Sequence, residues 1–276
     1  MGERTTVVTV VHGRHDHLRE QVRVLRRVAP TVHHVVVAID DAEVPVILEQ
    51  VARTTVLEIA THPLGLPVAA GRNAGVERAL SDGAARVVLL DVDCVPGRHL
   101  VTRYVDAFMR AGDALLCGPV TYLHEDQTVP DDPADLASMR SPHRARPDPA
   151  EGELLRHGDP DLFWSLSCAL SAPTWRRIGG FHEGYVGYGA EDTDFGRLAR
   201  SRGVDLVWVG GADAFHQFHP VSSPPVEHVG DIVRNATLFH RRWGEWPMRG
   251  WLEEFARMGL VTWEPHRLAL RDPTTA

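Results

Sequence analysis

Apolar residues along the chain fall into two rhythms, short unbroken runs and helical stripes, which alternate through the first half. The runs TTVVTVV (Thr5 to Val11), VVVAI (Val35 to Ile39), Val56 to Ile59 and VVLL (Val87 to Leu90) lack polar alternation. Each is therefore expected to be a strand covered on both faces, as in a parallel α/β sheet. Helices are expected between them. The first takes Asp16 as N-cap and places Leu18, Val22 and Leu25 on one face. A second runs from Arg72 to Leu80, after the loop THPLGLPVAAGRNAG, and stops near Gly83. A third, from about Arg98 to Arg110, carries the stripe Leu100, Val101, Tyr104, Val105 and Phe108 and closes at Gly112. This alternation predicts a doubly wound, parallel α/β sheet.

After a strand expected at Ala114 to Leu123, periodicity disappears between His124 and Asp161 into Pro, Asp, His and Arg. That is too long for an ordinary connector and reads as either a mobile functional loop or a disordered segment, with a partly ordered lid the favoured reading. Order resumes at Phe163 to Ser171, then in a helix bearing Phe195, Leu198 and Ala199 and ending at Gly203, and in a strand at Asp205 to Val209. Two amphipathic helices, about Val226 to Trp243 and Met248 to Met258, are expected to finish the chain.

Composition narrows the picture. With 276 residues and 43% hydrophobic content the chain can bury a large core. Its net charge of -8 gives no general attraction to nucleic acid or to an anionic membrane. Cys94, Cys117 and Cys168 lie far apart with no Cys-x-x-Cys pair, which suggests a reducing cytoplasm. No apolar segment has the length of a transmembrane span, and the N-terminus reads as a strand rather than a signal peptide. All 29 basic residues are arginine. Chemistry that requires lysine, the P-loop included, is excluded.

Three places carry candidate chemistry. In VVLLDVDC, Asp91 and Asp93 follow a buried run; if the extended geometry persisted they would point the same way, at the strand end where α/β sheets bind ligands. The other reading is a solvated turn. Glu191, Asp192 and Asp194 sit where GYVGYGAED enters a helix, a position that the helix dipole favours for any acid. Here Gly184, Gly187 and Gly189 alternate with Phe181, Tyr185 and Tyr188, so a ligand can approach the backbone and stack on rings, and an acid in this place can act as general base. His216 and His219 in FHQFHP follow a strand end, and with Asp91 and Asp93 nearby they make a mixed O/N site for manganese or magnesium plausible.

Together, DVD, GRNAG and above all GGFHEGYVGYGAEDTDF resemble the nucleotide-sugar-dependent glycosyltransferases of the GT-A fold, particularly family 2 enzymes with a galactosyltransferase-like C-terminal region. The resemblance spans about Thr5 to Pro220. It implies a mostly parallel Rossmann-like sheet flanked by helices over residues 1–220, with a donor half to about 123, a mobile loop over 124–161, an acceptor half over 162–220, and a helical extension over 221–276. It further implies that Asp40, Arg72, Asn73, Asp91, Asp93 and Gly189 bind the nucleotide sugar. Asp93 with His216 or His219 would hold a divalent cation, Mn or Mg, with Asp91 nearer the ribose. Asp192 would be the catalytic base and Glu191 would hold the acceptor hydroxyl or orient the loop. Glu-Asp rather than Glu-Asn favours inversion. The implied partners are a UDP-sugar and a glycan or small-molecule acceptor, with a peripheral membrane association left open by the Arg- and Trp-rich C-terminal helices. A haloacid-dehalogenase-type phosphatase resembles the chain only at VVLLDVDC and, like a sugar nucleotidyltransferase, needs a lysine. A non-catalytic binder of the same fold is the other alternative, opposed by the two intact acid clusters.

Overall fold

The unbroken apolar runs become strands because helices cover them on both sides, and in β4 (Arg86–Leu90) the two faces separate residue by residue. Val87 and Leu89 pack with Val8, Val35 and Val37, whereas Val88 and Leu90 pack with Val7, Leu100 and Tyr104. The computed structural model describes residues 4–271.

Before β4 come β1 (Thr5–Val11), α1 (His15–Val28), β2 (His33–Ile39), α2 (Glu43–Leu48), β3 (Thr54–Ile59) and α3 (Val68–Ser81). After it come β5 (Cys94–Pro96), α4 (Leu100–Ala111), β6 (Ala114–Cys117), β7 (Val120–Tyr122), β8 (Leu154–Leu155) and β9 (Ser167–Ser171). The chain continues through α5 (Ala172–Ile178), α6 (Glu191–Ser201), β10 (Asp205–Val209), β11 (Ala214–His216), α7 (Val229–Trp243) and α8 (Arg249–Arg257). A hairpin of β12 (Val261–Glu264) and β13 (Arg267–Leu270) follows.

The main sheet has the order β3-β2-β1-β4-β9-β6-β10-β8. β1 pairs in parallel with β2 and β4, β2 with β3, and β6 with β10. β9 runs antiparallel between β4 and β6, and β8 antiparallel on β10. The sheet is thus the expected mostly parallel one, with a reversed strand at its centre. Because the chain steps outward from β1 to β3 and then returns to place β4 on the other side of β1, the order reverses there and opens a crevice at their carboxyl ends. A smaller sheet, β5-β11-β7, stands beside that crevice.

Four local expectations change. Asp16 is not the N-cap: Arg14 takes that place in a left-handed conformation, and Asp16 pairs at 3.0 Å with Arg19 on the surface. GRNAG is not in a loop, since α3 already begins at Val68. Its glycines serve packing: a Cβ on Gly75 would lie 2.4 Å from Val8 Cγ1, so only glycine lets α3 settle on β1. The strand expected over Ala114 to Leu123 breaks at Gly118-Pro119 into β6 and β7, which belong to different sheets. The C-terminal part holds the β12–β13 hairpin besides its two helices, and its apolar face packs with Ile232, Leu252 and Phe255.

Within residues 124–161, Leu136 is buried, Arg23 of α1 donates to the Pro130 and Asp131 carbonyls, and Arg140 pairs with Asp148 and Asp213.

Candidate active site

β4 ends at Leu90 and the next residues turn, the Cys94 amide donating to the Asp91 carbonyl at 2.9 Å. The extended geometry that would have aimed Asp91 and Asp93 together is therefore lost, and the two carboxylates meet different partners.

Asp93 goes to the small sheet. β11 pairs His216 with Cys94, and the Gln217 amide donates to the Asp93 carbonyl at 2.7 Å. Asp93 Oδ2 then lies 3.3 Å from His216 Nε2 and 3.5 Å from His219 Nε2, so both histidines reach it. One potential ligand atom from each of the three residues lies within 4.8 Å of the others. Asp93 Oδ1 is buried with no hydrogen-bond partner. Burial alone would raise the proton affinity of Asp93, but the hydrogen bonds and charge of the two histidines outweigh it and hold the carboxyl well below its usual range.

Asp91 turns toward α3. Arg72 Nη2 donates to its two oxygens at 3.0 and 3.3 Å, and Nη1 donates to Glu191 Oε1 and Asp192 Oδ1, each at 3.2 Å. One guanidinium, 5% exposed and lying 5.3 Å from the Phe181 ring centre, thus joins three carboxylates. The other Asp192 oxygen accepts from the Ser165 amide at 3.0 Å. Burial chiefly, then Asp192, raises the Glu191 carboxyl against the pull of Arg72, and it is pushed up to about 7. Burial also raises Asp91, with Arg72 opposing and Asp93 and Asp192 adding. A group whose folded pKa is raised contributes stability that is present at low pH and is lost as pH rises through the folded value. Glu191→Gln is therefore expected to flatten the loss of stability as pH rises from about 4.5 to about 7, checked by urea midpoints across that range.

The acidic helix is held from the C-terminal side. Ala190, its N-cap, has φ 75°, a left-handed conformation that a residue with a Cβ keeps only under restraint. The restraint comes from α7. The two N–H groups of Asn235 Nδ2 are shared among the carbonyls of Val186, Tyr188 and Gly189, each at 3.1 Å, and Asp231 accepts from the Tyr188 amide at 3.2 Å. Gly187 must be glycine, because a Cβ there would sit 2.1 Å from Asp231 Oδ2. Asp194, fully buried, is spent on the same tie: it accepts from Tyr185, Arg242 and Trp243 at 3.0, 2.7 and 2.7 Å.

The remaining sequence candidates disperse. Asp40 is exposed at the end of β2 with φ 46°, accepting from Thr61 Oγ1 at 3.3 Å. Asn73 binds both the amide and the carbonyl of Phe181 at 2.9 Å, which commits it to the glycine-rich loop. Gly189 sits at φ 91° beneath Met248. Two contributors escaped the sequence reading. Ser165 acts through its backbone, which leaves no signal in its identity. Asp41, beside Asp40, accepts from the Gly13 amide at 2.7 Å and faces His15 at 2.9 Å, closing the loop after β1; the VHGRHDH stretch was the available hint.

Residues 161–220 match the family model described as the N-terminal domain of galactosyltransferase. Among solved structures, residues 1–349 of TarS from S. aureus share the fold at 11% identity and a TM-score of 0.58, covering 87% of this chain and 72% of that one. The same protein in complex with UDP-GlcNAc gives 10% identity and a TM-score of 0.60 over 91% of this chain and 76% of that one. No curated protein matches by sequence. The matched segment begins before Ser165, runs through Glu191 and Asp192 and ends after His216 and His219, and the sheet and helices around it have the GT-A type fold shared with TarS.

Proposed function

We propose that the chain transfers a sugar, with inversion, from a UDP-sugar to an acceptor hydroxyl, and that it does so with a divalent cation. The observation that carries the reading is the division of labour among the acids: Asp93 is committed to two histidines, and Asp192 to Arg72 and Ser165. The UDP-GlcNAc complex of the structurally similar TarS supports a UDP-sugar donor. The three unpaired cysteines fit a cytoplasmic setting, and among the described residues no helix is long and apolar enough to cross a membrane.

Asp93, His216 and His219 fit manganese or magnesium, because they supply a mixed oxygen and nitrogen set and Asp93 Oδ1 is an acceptor with no donor. When bound there, the cation supplies Lewis-acid stabilisation of the charge that develops on the departing diphosphate. Asp192 takes the proton of the acceptor hydroxyl as that oxygen attacks the anomeric carbon. Its Oδ1 and Oδ2 each keep a lone pair beyond the bonds from Arg72 and Ser165, so it is oriented without being saturated. Glu191 shares the same Arg72 nitrogen and can hold the acceptor hydroxyl beside it.

Isothermal titration with UDP, with and without manganese, followed by a UDP-release assay over a panel of nucleotide sugars, tests the proposal. Metal-dependent binding and turnover are expected; binding of UDP without turnover of any sugar would leave only a binder. Asp93→Ala is expected to weaken UDP binding in the presence of manganese at least ~10-fold, as loss of a metal-site group commonly does. Affinity that survives this change would remove Asp93 from the metal site.

A further inference from the structure

A row of side-chain rings connects the surroundings of Asp192 to those of Asp93. Trp164 precedes Ser165, whose amide holds Asp192. The Trp164 ring lies 5.1 Å from His143, which lies 5.6 Å from Tyr122, which in turn stacks on His216 at 4.5 Å. His143 is exposed, Tyr122 is 38% exposed and Trp164 is half-buried, so the row is a surface and not a core. Beyond Tyr122 it opens into a cleft of about 790 Å³ lined also by Leu123, Glu125, Asp126 and Phe218.

Something unusual lies behind Trp164. Arg146 is 5% exposed, and no oxygen acceptor meets any of its guanidinium nitrogens. It is 5.4 Å from the Trp164 ring centre and 4.7 Å from that of Trp208. A buried cation without an oxygen acceptor is costly, and the two indole rings beside it, together with the Cys117 thiol, offset that cost. That attraction fixes the plane of Trp164 and ties it to the segment that carries His143. The mechanism uses none of these residues.

The chemistry that suits such a surface is a sugar ring. Its C–H faces pack on aromatic rings, and its hydroxyls find the imidazole, phenol and carboxylate groups at the edges. The spacing of neighbouring rings is on the scale of one pyranose, and three rings followed by a cleft hold more than one. Glu125 and Asp126 at the far end oppose a negatively charged glycan. We propose that Trp164, His143 and Tyr122 form an acceptor subsite for a neutral oligosaccharide of at least two pyranose rings, with Arg146 as the positioning residue of Trp164. The proposal rests on the glycosyltransferase reading above and adds the class of acceptor.

Isothermal titration of the full chain with N-acetylglucosamine, N,N′-diacetylchitobiose, cellobiose and digalacturonate tests it, with UDP and manganese titrated in parallel. A neutral disaccharide is expected to bind at least about fivefold more tightly than the monosaccharide, and digalacturonate not to bind. Tyr122→Ala should weaken the disaccharide about fivefold while the monosaccharide changes less than about twofold, because Tyr122 is the ring distant from Asp192. Trp164→Phe, which keeps a smaller ring at that position, should weaken both. Equal affinity for one and two sugars, or a Tyr122→Ala variant that loses UDP and not disaccharide, overturns the proposal. A protein that binds UDP but none of the saccharides overturns it too and leaves the donor reading standing. Disaccharide binding with the Tyr122→Ala effect but without UDP binding supports the strip and removes the donor.

Discussion

Asp192→Asn is expected to lower turnover by ~10²–10⁴-fold, the range over which a positioned general base acts, while leaving UDP affinity nearly unchanged. Asparagine keeps the shape and one acceptor oxygen, so the Ser165 amide retains a partner. Arg72 still holds Asp91 and Glu191. What disappears is the negative charge that receives the acceptor proton. The donor side is untouched, because His216 lies in the small sheet, Asp93 and His219 flank its strands, and none of the three is on α6. UDP release at saturating donor gives the turnover and isothermal titration gives the affinity. Unchanged turnover would remove Asp192 from the mechanism. A larger loss in Glu191→Gln than in Asp192→Asn would move the base to Glu191, the carboxyl of the pair that is pushed up to about 7.

Much of the fold was legible because burial on both faces leaves a mark in the residues themselves. β1 and β10 fall at the expected boundaries, and β2 and β3 begin only two residues earlier than read. What could not be read is direction and register. Nothing in FWSLSCALS says that β9 inserts antiparallel between β4 and β6, since that depends on how the chain returns after residues 124–161. The break at Gly118-Pro119 was visible as residues, but the assignment of β6 and β7 to different sheets depends on partners distant in sequence.

The candidate site divides in the same way. Residue types announced the acids and histidines, and the turn after Leu90 then separated Asp91 from Asp93 in a manner that an alternation argument cannot foresee. GRNAG was read as placing Arg72 and Asn73 together at the nucleotide, yet the two face opposite duties: one gathers carboxylates, the other clamps the Phe181 backbone. The part of α7 was invisible. An asparagine and an aspartate on an amphipathic helix look like a solvated face, and only the folded chain shows Asn235 holding three carbonyls of the glycine-rich loop. The C-terminal part therefore shapes the entry to the acidic helix, rather than being an appendage to it.

Arg72→Met is expected to destabilise the fold by about 3 kcal/mol at pH 8, the lower end of the cost of leaving a buried ion pair half broken. The lower end applies because the carboxylates left behind are not fully sealed: Asp91, Asp192 and Glu191 keep 27%, 24% and 15% side-chain exposure. Methionine matches the apolar stem of arginine and can still pack on Phe181, so the loss isolates the charge. Without the guanidinium the three acids repel one another, and the cheapest relief is to take up a proton. The defect should therefore shrink as pH falls, since protonation of Glu191 and Asp91, both already raised, removes the repulsion. Arg72→Lys should recover part of the stability, because an ammonium restores charge but cannot fork to three carboxylates from one plane. Urea unfolding at pH 8 and pH 5 measures both. Equal midpoints for wild type and Arg72→Met at pH 8 would mean that the acids do not depend on Arg72. A defect of the same size at both pH values would assign the loss to packing against Phe181 instead of to charge.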